Sequence, residues 1–340
     1  MARRPPTSHD VARHAGVSQP TVSRALRDDP SVALATRRAV REAAAALGYV
    51  PSQRGRSLST RRTGQIGVVI SDLANPFYLE VLDAVHDALG AAGRRMLVLT
   101  PDEDDALLAR RLLDGALDGA ILSTTLLESP LPGELARRSF PFVLLNRGVD
   151  GAPGDVVVTD NVAGGRLAAR AFLEAGHRDI AAVFGPPDTS TGRDREAGFR
   201  ALMAEAAIEL PDGRVRRGPF DFTVGYGAAR ELRSSGATGL FCANDVLAIG
   251  AYNGLRSLGV RIPEDVSLVG VDDIAIASWE VFRLTTVRQD IEDMVRRGVE
   301  LLLERVAQPD GPPRHVVLEP ALVRRATLAP PGRRALDEEV

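Results

Sequence analysis

The fold of the N-terminal part is decided by the stretch Asp10-Val11-Ala12-Arg13-His14-Ala15-Gly16-Val17-Ser18-Gln19-Pro20-Thr21-Val22-Ser23-Arg24-Ala25-Leu26. Apolar residues recur at helical spacing on both sides of Gly16, a residue that tolerates the left-handed conformation of a helix end. Ser18 is suited to cap a second helix, and Pro20 falls in its first turn, where no N–H is needed. This pattern is typical of the helix-turn-helix motif, whose second helix fits the major groove of DNA.

A third helix is predicted from about residue 35 to residue 47, with Gly48 at its C-terminal end. Residues 51–62 are polar and basic, and Leu58 is their lone large apolar residue. The stretch fits either a plain linker or a short helix that forms when a partner organises it, because Gly55 disfavours a spontaneous helix.

The charge of the chain is divided between a basic head and an acidic body. Residues 1–62 contain 12 arginines and four acidic residues, a net charge of +8, whereas the remainder carries −11. The chain has no lysine, so all of this positive charge is guanidinium. A small basic head on an acidic body indicates a polyanionic partner for the head alone, although a solvated charged surface is the simpler alternative.

Several functional classes are disfavoured. The single cysteine, Cys242, forms no internal disulfide, and no residue spacing typical of a metal site occurs, so no cofactor or metal is expected. No Gly-rich dinucleotide fingerprint, P-loop or nucleophile elbow is present, which argues against an enzyme. No apolar run reaches the ~20 residues of a membrane span, and the N-terminus does not lead into an apolar signal stretch. We therefore expect a cytoplasmic protein without a membrane partner.

From residue 65 onward, short apolar strands alternate with helices. The predicted strands are 66–70, 96–99, 120–122, 142–145, 156–158, 180–184, 240–242 and 266–271. Continuous apolar runs are expected for parallel strands covered on both faces, so the pattern predicts a doubly wound α/β architecture. About eight strands are too many for one small sheet, which favours two similar lobes. A ligand is then expected in the cleft at the carboxyl ends of the strands.

The whole chain resembles the lactose/galactose repressor (LacI/GalR) family of bacterial transcriptional regulators. Besides residues 10–26, the resemblance rests on Thr36-Arg37-Arg38-Ala39-Val40, Leu47-Gly48-Tyr49-Val50-Pro51, Asn75-Pro76-Phe77, Gly176-His177-Arg178, Ala243-Asn244-Asp245, Gly270-Val271-Asp272-Asp273 and Leu284-Thr285-Thr286-Val287. These segments run from about residue 8 to residue 328 in the family's order.

The resemblance implies an N-terminal all-α helix-turn-helix domain followed by a two-lobed α/β effector domain of the periplasmic-binding-protein type. The implied boundaries are 1–50 for the DNA-binding domain, 51–63 for a hinge that is helical on DNA, 64–330 for the effector-binding and dimerisation domain, and 331–340 for a disordered tail. Lobe one is expected at about 64–158 and 287–318, and lobe two at about 159–286 and 319–330.

The resemblance also implies binding to a pseudo-palindromic operator in double-stranded DNA as a homodimer. Gln19, Pro20 and Arg24 match residues that face base edges, while Ser18, Thr21 and Ser23 match phosphate contacts or helix caps. Arginine pairs in bidentate fashion with guanine and glutamine with adenine. A solvated surface position is the alternative for Gln19.

In the hinge, residues 55–58 match the segment that contacts DNA, so Arg56 and Leu58 are candidate DNA-binding residues. Leu58 matches an apolar wedge for the minor groove. Gly55 stands where the family more often has alanine, which predicts a hinge helix costlier by about 1 kcal/mol. Ala33 stands where a serine cap is usual, so the cap of the third helix is either missing or supplied from elsewhere.

The resemblance places effector contacts at strand ends and in the loop around residue 195. The candidates are Phe77, Tyr78, Asn146, Arg147, Arg195, Asn244 and Asp272. Trp279 and one of Phe220 and Phe222, of which we take Phe222, are expected to add aromatic faces. Core packing is the alternative for Phe77 and Trp279, and a cap on its own loop is the alternative for Asp272.

A guanidinium, a carboxylate and amides beside aromatic faces suit a polyhydroxylated ring. A sugar or sugar derivative is therefore the expected effector, with a purine as the alternative. We expect the effector to release DNA, and a corepressor that tightens DNA binding is the alternative. An exported sugar-binding protein would share the lobes but not the basic head. The tail carries no leucine heptad, so a dimer is expected rather than a tetramer.

Overall fold

The computed structural model describes residue 4 and residues 6–49, 63–101 and 105–331. The chain divides into two compact units, Met1–Thr63 and Gly64–Val340, and each is described by itself. No helix among the described residues is long and apolar enough to cross a membrane.

In the part of the N-terminal unit that the structure describes there are three helices, α1 Ser8–Ala15, α2 Gln19–Ala25 and α3 Leu34–Leu47. Gly16 ends α1 in the left-handed conformation, with φ 68°. The Ser18 side chain accepts a hydrogen bond from the backbone N–H of Thr21 and so caps α2. Both features were predicted from the residue pattern, because caps depend on local chemistry.

Small apolar side chains form the core of this unit. Val11, Val22 and Val40, one from each helix, are fully buried. Ala33 precedes α3 without a side-chain cap. The core therefore orients α2, while α3 begins with backbone N–H groups that no capping side chain satisfies.

The second unit is built of two lobes, each containing one six-stranded sheet. Its strands are β1 Gln65–Val69, β2 Arg95–Leu99, β3 Gly119–Leu122, β4 Phe142–Leu145, β5 Asp155–Thr159, β6 Ile180–Phe184, β7 Val215–Arg217, β8 Gly239–Cys242, β9 Ser267–Asp272, β10 Thr285–Arg288, β11 His315–Leu318 and β12 Ala321–Val323. Its helices are α4 Pro76–Ala91, α5 Asp105–Leu112, α6 Leu131–Arg137, α7 Asn161–Glu174, α8 Ser190–Glu205, α9 Phe222–Leu232, α10 Asp245–Arg256 and α11 Ile291–Ala307. Three 3₁₀ helices lie at Asp212–Arg214, Arg233–Ser235 and Ala275–Ser278.

The first sheet has the strand order β11-β5-β4-β3-β1-β2, and the second has the order β12-β10-β9-β8-β6-β7. All pairings are parallel except that of β12 with β10. In each sheet the strand order reverses near the centre, beside β1 and beside β6. Such a reversal leaves a crevice at the carboxyl ends of the strands.

All eight predicted strands are present, and their ends differ from the predicted ones by at most one residue. Four strands were missed, namely β7, β10, β11 and β12. Of these, β7, β11 and β12 lie at sheet edges, where exposed positions interrupt the apolar run. The fourth, β10, is buried but begins with Thr285 and Thr286, so it does not read as an apolar strand.

The chain passes between the lobes three times, after β5, after β10 and after β11. The second part of lobe one was expected to start at residue 287. The structure corrects this boundary, because β10 pairs with β9 as far as Arg288 and therefore belongs to the second sheet. That crossing falls before α11, which packs against α4 and β4 of the first lobe. Thr159 likewise belongs to the first sheet, one residue beyond the expected boundary.

Candidate functional sites

The first candidate site is the outer face of α2. Val22 and Ala25 of this helix are fully buried, so its orientation against the core is fixed. The predicted DNA contacts lie on the remaining faces: Ser18, Pro20 and Arg24 are exposed, and Gln19, Thr21 and Ser23 are half-buried.

Polar contacts distinguish the roles of these side chains. The hydroxyls of Ser18 and Thr21 are 2.8 Å apart, and Gln19 Nε2 donates to Ser8 Oγ of α1 at 3.4 Å. Arg24 forms no ion pair among the described residues, whereas Arg13 pairs with Asp10. The guanidinium of Arg24 is thus available to a base edge or a phosphate. Arg56 and Leu58 lie outside the described residues, and their roles stay predictions.

The second candidate site lies between the two sheets, at the carboxyl ends of their strands. Its centre is Arg195 of α8, a side chain only 2% exposed. Arg195 Nη2 lies 3.0 Å from Asp272 Oδ1, its Nε donates to Asn161 Oδ1 at 2.8 Å, and its Nη1 donates to the carbonyl of Ala243 at 2.7 Å. These bonds join α8 to the ends of β5, β8 and β9.

Asp272 completes this cluster from the end of β9. Its Oδ1 also accepts from Gln289 Nε2 at 2.8 Å, and its backbone has φ 127°. Burial raises the pKa of the Asp272 carboxyl, and the charge of Arg195 opposes that rise. A buried carboxylate held by a guanidinium and an amide keeps acceptor capacity for ligand hydroxyl groups.

Aromatic and basic side chains lie on the first-lobe side. Phe77 and Tyr78 begin α4 and pack edge to face, with ring centroids 5.3 Å apart. Asn75 caps this helix by accepting from the backbone N–H of Phe77. The guanidinium carbon of Arg147 lies 5.9 Å from the centroid of the Tyr78 ring, and Arg147 Nη1 donates to the carbonyl of Thr124.

Buried polar atoms without a hydrogen-bond partner are concentrated at the carboxyl ends of the strands. Among the described residues, five buried side-chain atoms of the second unit have no hydrogen-bond partner: Ser123 Oγ, Asn146 Oδ1, Arg147 Nε, Thr159 Oγ1 and Gln289 Oε1. Each residue ends a strand or follows one by one or two positions. Buried polar groups are normally paired, so this grouping indicates a place for a polar ligand.

A cavity of about 470 Å³ lies in the first lobe at the ends of β1 and β3. Ser71, Thr124, Thr125 and Asp105 are among its lining residues. Thr124 Oγ1 accepts from the backbone N–H of Ser71 at 3.0 Å, and the Thr124 carbonyl is the one bound by Arg147. The cavity therefore adjoins the Arg147 side of the site.

The aromatic predictions need two corrections. Phe222, expected in the site, is 43% exposed and stacks on Tyr226 of its own helix. Phe220 is instead 8% exposed, and its ring centroid lies 6.0 Å from the guanidinium carbon of Arg195. Asp221 between them is the extended N-cap of α9, so the two rings point to different sides. Trp279 is 57% exposed and stands outside the buried cluster.

The other predicted effector residues are all less than 9% exposed and lie near the carboxyl ends of the strands, namely Phe77, Tyr78, Asn146, Arg147, Arg195, Asn244 and Asp272. Asn244 caps α10 by accepting from the backbone N–H of Leu247. Sequence reasoning missed Asn161 and Gln289, and of the two candidates Phe220 and Phe222 it took Phe222. A polar residue within two positions of a strand end was the available signal for Asn161 and Gln289, but β10, which precedes Gln289, had not been recognised.

Polar contacts also cross the cleft between the lobes. Arg193 pairs with Asp150, Ser190 Oγ accepts from the backbone N–H of Gly148 at 3.0 Å, and Glu80 accepts from the backbone N–H of Ala275 at 2.8 Å. Each pair joins one residue from each lobe, so the structure has the lobes in contact on both sides of the site.

Comparisons with known proteins agree with this architecture. A family model described as bacterial regulatory proteins, lacI family, matches residues 7–52, and one described as a periplasmic binding protein-like domain matches residues 169–328. HTH-type transcriptional regulator CelR of Thermobifida fusca is 36% identical over 334 residues, which are 95% of this chain and 98% of that protein.

Two solved structures extend the similarity. One, a complex of transcriptional regulator CelR with cellobiose, is 34% identical with a TM-score of 0.73 and covers 95% of this chain and 100% of its own. The other, the lac repressor dimer bound to operator and the anti-inducer ONPF, is 26% identical with a TM-score of 0.86 and covers 96% of this chain and 100% of its own.

Proposed function

Because the chain belongs to the LacI family of bacterial regulatory proteins, we propose that it represses carbohydrate-utilisation genes from a palindromic operator and is released by a sugar or sugar derivative. It acts in the cytoplasm, on nucleoid DNA, as a homodimer. Each protomer supplies one α2 helix to one half-site of the operator.

The DNA-binding step is supported by the exposed face of α2. Arg24 and Gln19 read base edges, and Ser18, Thr21 and Ser23 contact phosphates. Arg56 and Leu58 add contacts from the hinge. A two-fold dimer is in keeping with the lac repressor structure, which is described as a dimer on its operator.

The effector step is supported by one observation above all: among the described residues, five buried polar atoms without a partner lie at the carboxyl ends of the strands, where Arg195 and Asp272 also pair. Sugar hydroxyl groups both donate and accept, so one ring can pair with carboxylate, guanidinium and amide groups together. Phe220 and Tyr78 offer faces for its C–H groups. The CelR structure that resembles this chain contains cellobiose.

Coupling between the effector and DNA is supported by the position of the site between the lobes. A ligand changes DNA affinity only if it prefers one arrangement of the lobes. A change of lobe angle alters the spacing of the two hinges across the dimer, so that both half-sites are no longer occupied together. Any coupling measured between the sugar and DNA must be reciprocal.

The test is operator binding measured by fluorescence anisotropy on a probe selected from random DNA. We would titrate the protein at several salt concentrations, with and without cellobiose, glucose and ribose. Tight binding with a steep salt dependence that one sugar abolishes is the expected result. Tighter binding with a ligand would establish a corepressor instead. Failure to select any specific DNA would overturn the proposed function.

The matched control is Asp272→Asn. This variant should bind the operator as the wild type does but respond to no sugar, because the carboxylate that pairs with Arg195 is removed. A normal sugar response in this variant would contradict the proposed effector site.

A further inference from the structure

Three segments converge on one buried cluster behind Asp272. They are Ala243-Asn244-Asp245, Gly270-Val271-Asp272-Asp273 and Leu284-Thr285-Thr286-Val287. Asn244 and Asp272 belong to the effector site, but Asp245, Gly270, Asp273 and Thr286 have no role in it so far.

Asp245 is fully buried in the first turn of α10. Its Oδ1 accepts from Thr286 Oγ1 at 2.5 Å, and its Oδ2 accepts from the backbone N–H of Ile274 at 3.1 Å. Ile274 is two residues beyond Asp272. The Asp245 carboxyl therefore links α10 and β10 to the turn that follows Asp272.

Gly270 provides the space for this carboxyl group. A Cβ atom at Gly270 would lie 2.3 Å from Asp245 Oδ1, which is far closer than van der Waals contact. Asp245 thus lies directly against the backbone of β9, two residues before Asp272.

Asp273 holds the same turn from its other side. Its Oδ2 accepts from Arg288 Nε at 2.7 Å, and its Oδ1 accepts from Arg325 Nη2 at 2.6 Å. The Asp273 side chain is only 6% exposed. The two arginines come from the end of β10 and from the segment after β12.

The turn needs this support because its backbone is unusual. Asp272 has φ 127° and Asp273 has φ 61°, two successive left-handed values at residues other than glycine. Such conformations persist only when the surrounding structure holds them in place. If the turn relaxed, the Asp272 carboxylate would leave its position beside Arg195.

We propose that Asp245 is a positioning residue of the effector site: by holding the N–H of Ile274, together with the ion pairs of Asp273, it keeps the Asp272 carboxylate in place for the ligand. This inference rests on the proposed role of Asp272 in binding the effector. Asp245 itself does not touch the ligand.

The two hydrogen bonds of Asp245 indicate which substitution preserves its role. Burial, with the negative charge of Asp272 added, raises the pKa of Asp245 well above that of an ordinary aspartate. In an asparagine the side-chain oxygen can still accept from the N–H of Ile274, and the amide group can donate to Thr286 Oγ1, because a threonine hydroxyl also accepts hydrogen bonds. Asparagine should therefore replace Asp245, whereas alanine should not.

The experiment compares Asp245→Ala with Asp245→Asn in the full-length protein. Hydrogen–deuterium exchange of the peptide that contains Ile274 reports the turn without any ligand, and cellobiose, glucose and ribose titrations report effector affinity. Asp245→Ala should speed exchange at Ile274 and weaken binding of the responsive sugar by about tenfold, on the scale of one lost hydrogen bond. Asp245→Asn should keep both the exchange rate at Ile274 and the sugar affinity close to those of the wild type. The matched control is Asp265→Asn, since among the described residues Asp265 forms its ion pair with Arg261 alone, in the same lobe.

The remaining outcomes of this experiment also decide whether Asp245 positions the turn. Wild-type exchange and sugar affinity in folded Asp245→Ala would overturn the proposal. If that variant does not fold, Arg325→Gln tests the ion pair between Arg325 and Asp273 on the other side of the turn. Unchanged exchange and sugar affinity in Arg325→Gln would overturn the proposal equally. If no sugar binds the wild type, the effector function fails, while the exchange measurement still tests the positioning of the turn.

Discussion

Arg193 and Asp150 form an ion pair across the cleft, with Arg193 Nη1 2.6 Å from Asp150 Oδ2. Asp150 belongs to the loop after β4 of the first lobe, and Arg193 to the first turn of α8 in the second. The hydrogen bond from Arg193 lowers the pKa of Asp150. The attraction is therefore complete above the ordinary aspartate pKa and is lost only as the pH falls through the lowered value.

This pair predicts a specific effect on effector binding. Asp150→Asn should weaken binding of the responsive sugar by about two- to fivefold with little change in melting temperature, because an exposed pair contributes at most about 1 kcal/mol. Calorimetric titration measures the affinity. Glu205→Gln is the control, since Glu205 pairs with Arg166 inside the second lobe. Identical affinities for Asp150→Asn and the wild type would contradict a role for this pair in holding the lobes together.

A second prediction concerns base recognition. Arg24→Ala should weaken operator binding by about 1–3 kcal/mol and reduce the preference for operator over scrambled DNA, because a bidentate contact to a base is lost. Anisotropy titrations with both probes measure the two affinities. Arg38→Ala serves as the control, since the Arg38 side chain is 82% exposed on α3 and pairs with Glu42. An equal loss on both probes would instead assign Arg24 to a phosphate.

A third prediction concerns the hinge, which lies outside the described residues. Gly55→Ala should tighten operator binding by about fivefold per hinge, because alanine lowers the cost of a helix by about 1 kcal/mol. Sugar affinity in the absence of DNA should not change, and that measurement is the control. If Gly55→Ala bound the operator no more tightly than the wild type, the hinge would not carry the predicted cost.

A fourth prediction concerns stability. Burial alone would raise the pKa of Asp155, but hydrogen bonds from Arg305 and Arg314 outweigh it and lower the pKa. The stabilisation is present above the ordinary aspartate pKa and is lost as the pH falls through the lowered value. Asp155→Asn should reduce the free energy of unfolding by about 3 kcal/mol at pH 7, because the ion pairs of Arg305 and Arg314 with this buried carboxylate are lost.

Urea titrations at pH 7 and pH 3 measure this free energy, and the difference between variant and wild type should shrink at the lower pH. Asp310→Asn, at an exposed position close to the same helix, is the control and should leave stability unchanged. A difference that stays constant between the two pH values would exclude ionisation of Asp155 as its source.

The parts of the fold that depend on local chemistry were predictable. Gly16 and Ser18 define α1 and α2 because helix caps involve neighbouring residues, and apolar runs define eight strands. The edge strand β12 was not predictable, since its pairing with β10 depends on residues far apart in the sequence. Phe220 and Phe222 could not be distinguished from spacing alone, because the Asp221 cap decides which ring faces Arg195. The support that Asp245 gives to Ile274 spans 29 residues and became visible only in three dimensions.

The three crossings between the lobes have a consequence for how the protein is made. Among the described residues, β11 and β12 are the last strands in the chain, and they form outer edges of the first and second sheets respectively. Until residue 323 has emerged, β5 or β10 presents an open edge to other chains, and open edges favour aggregation. A chain that stops after β10 would therefore leave both sheets unfinished rather than release one complete lobe. Both sheets are therefore completed only when the chain has been made through β12.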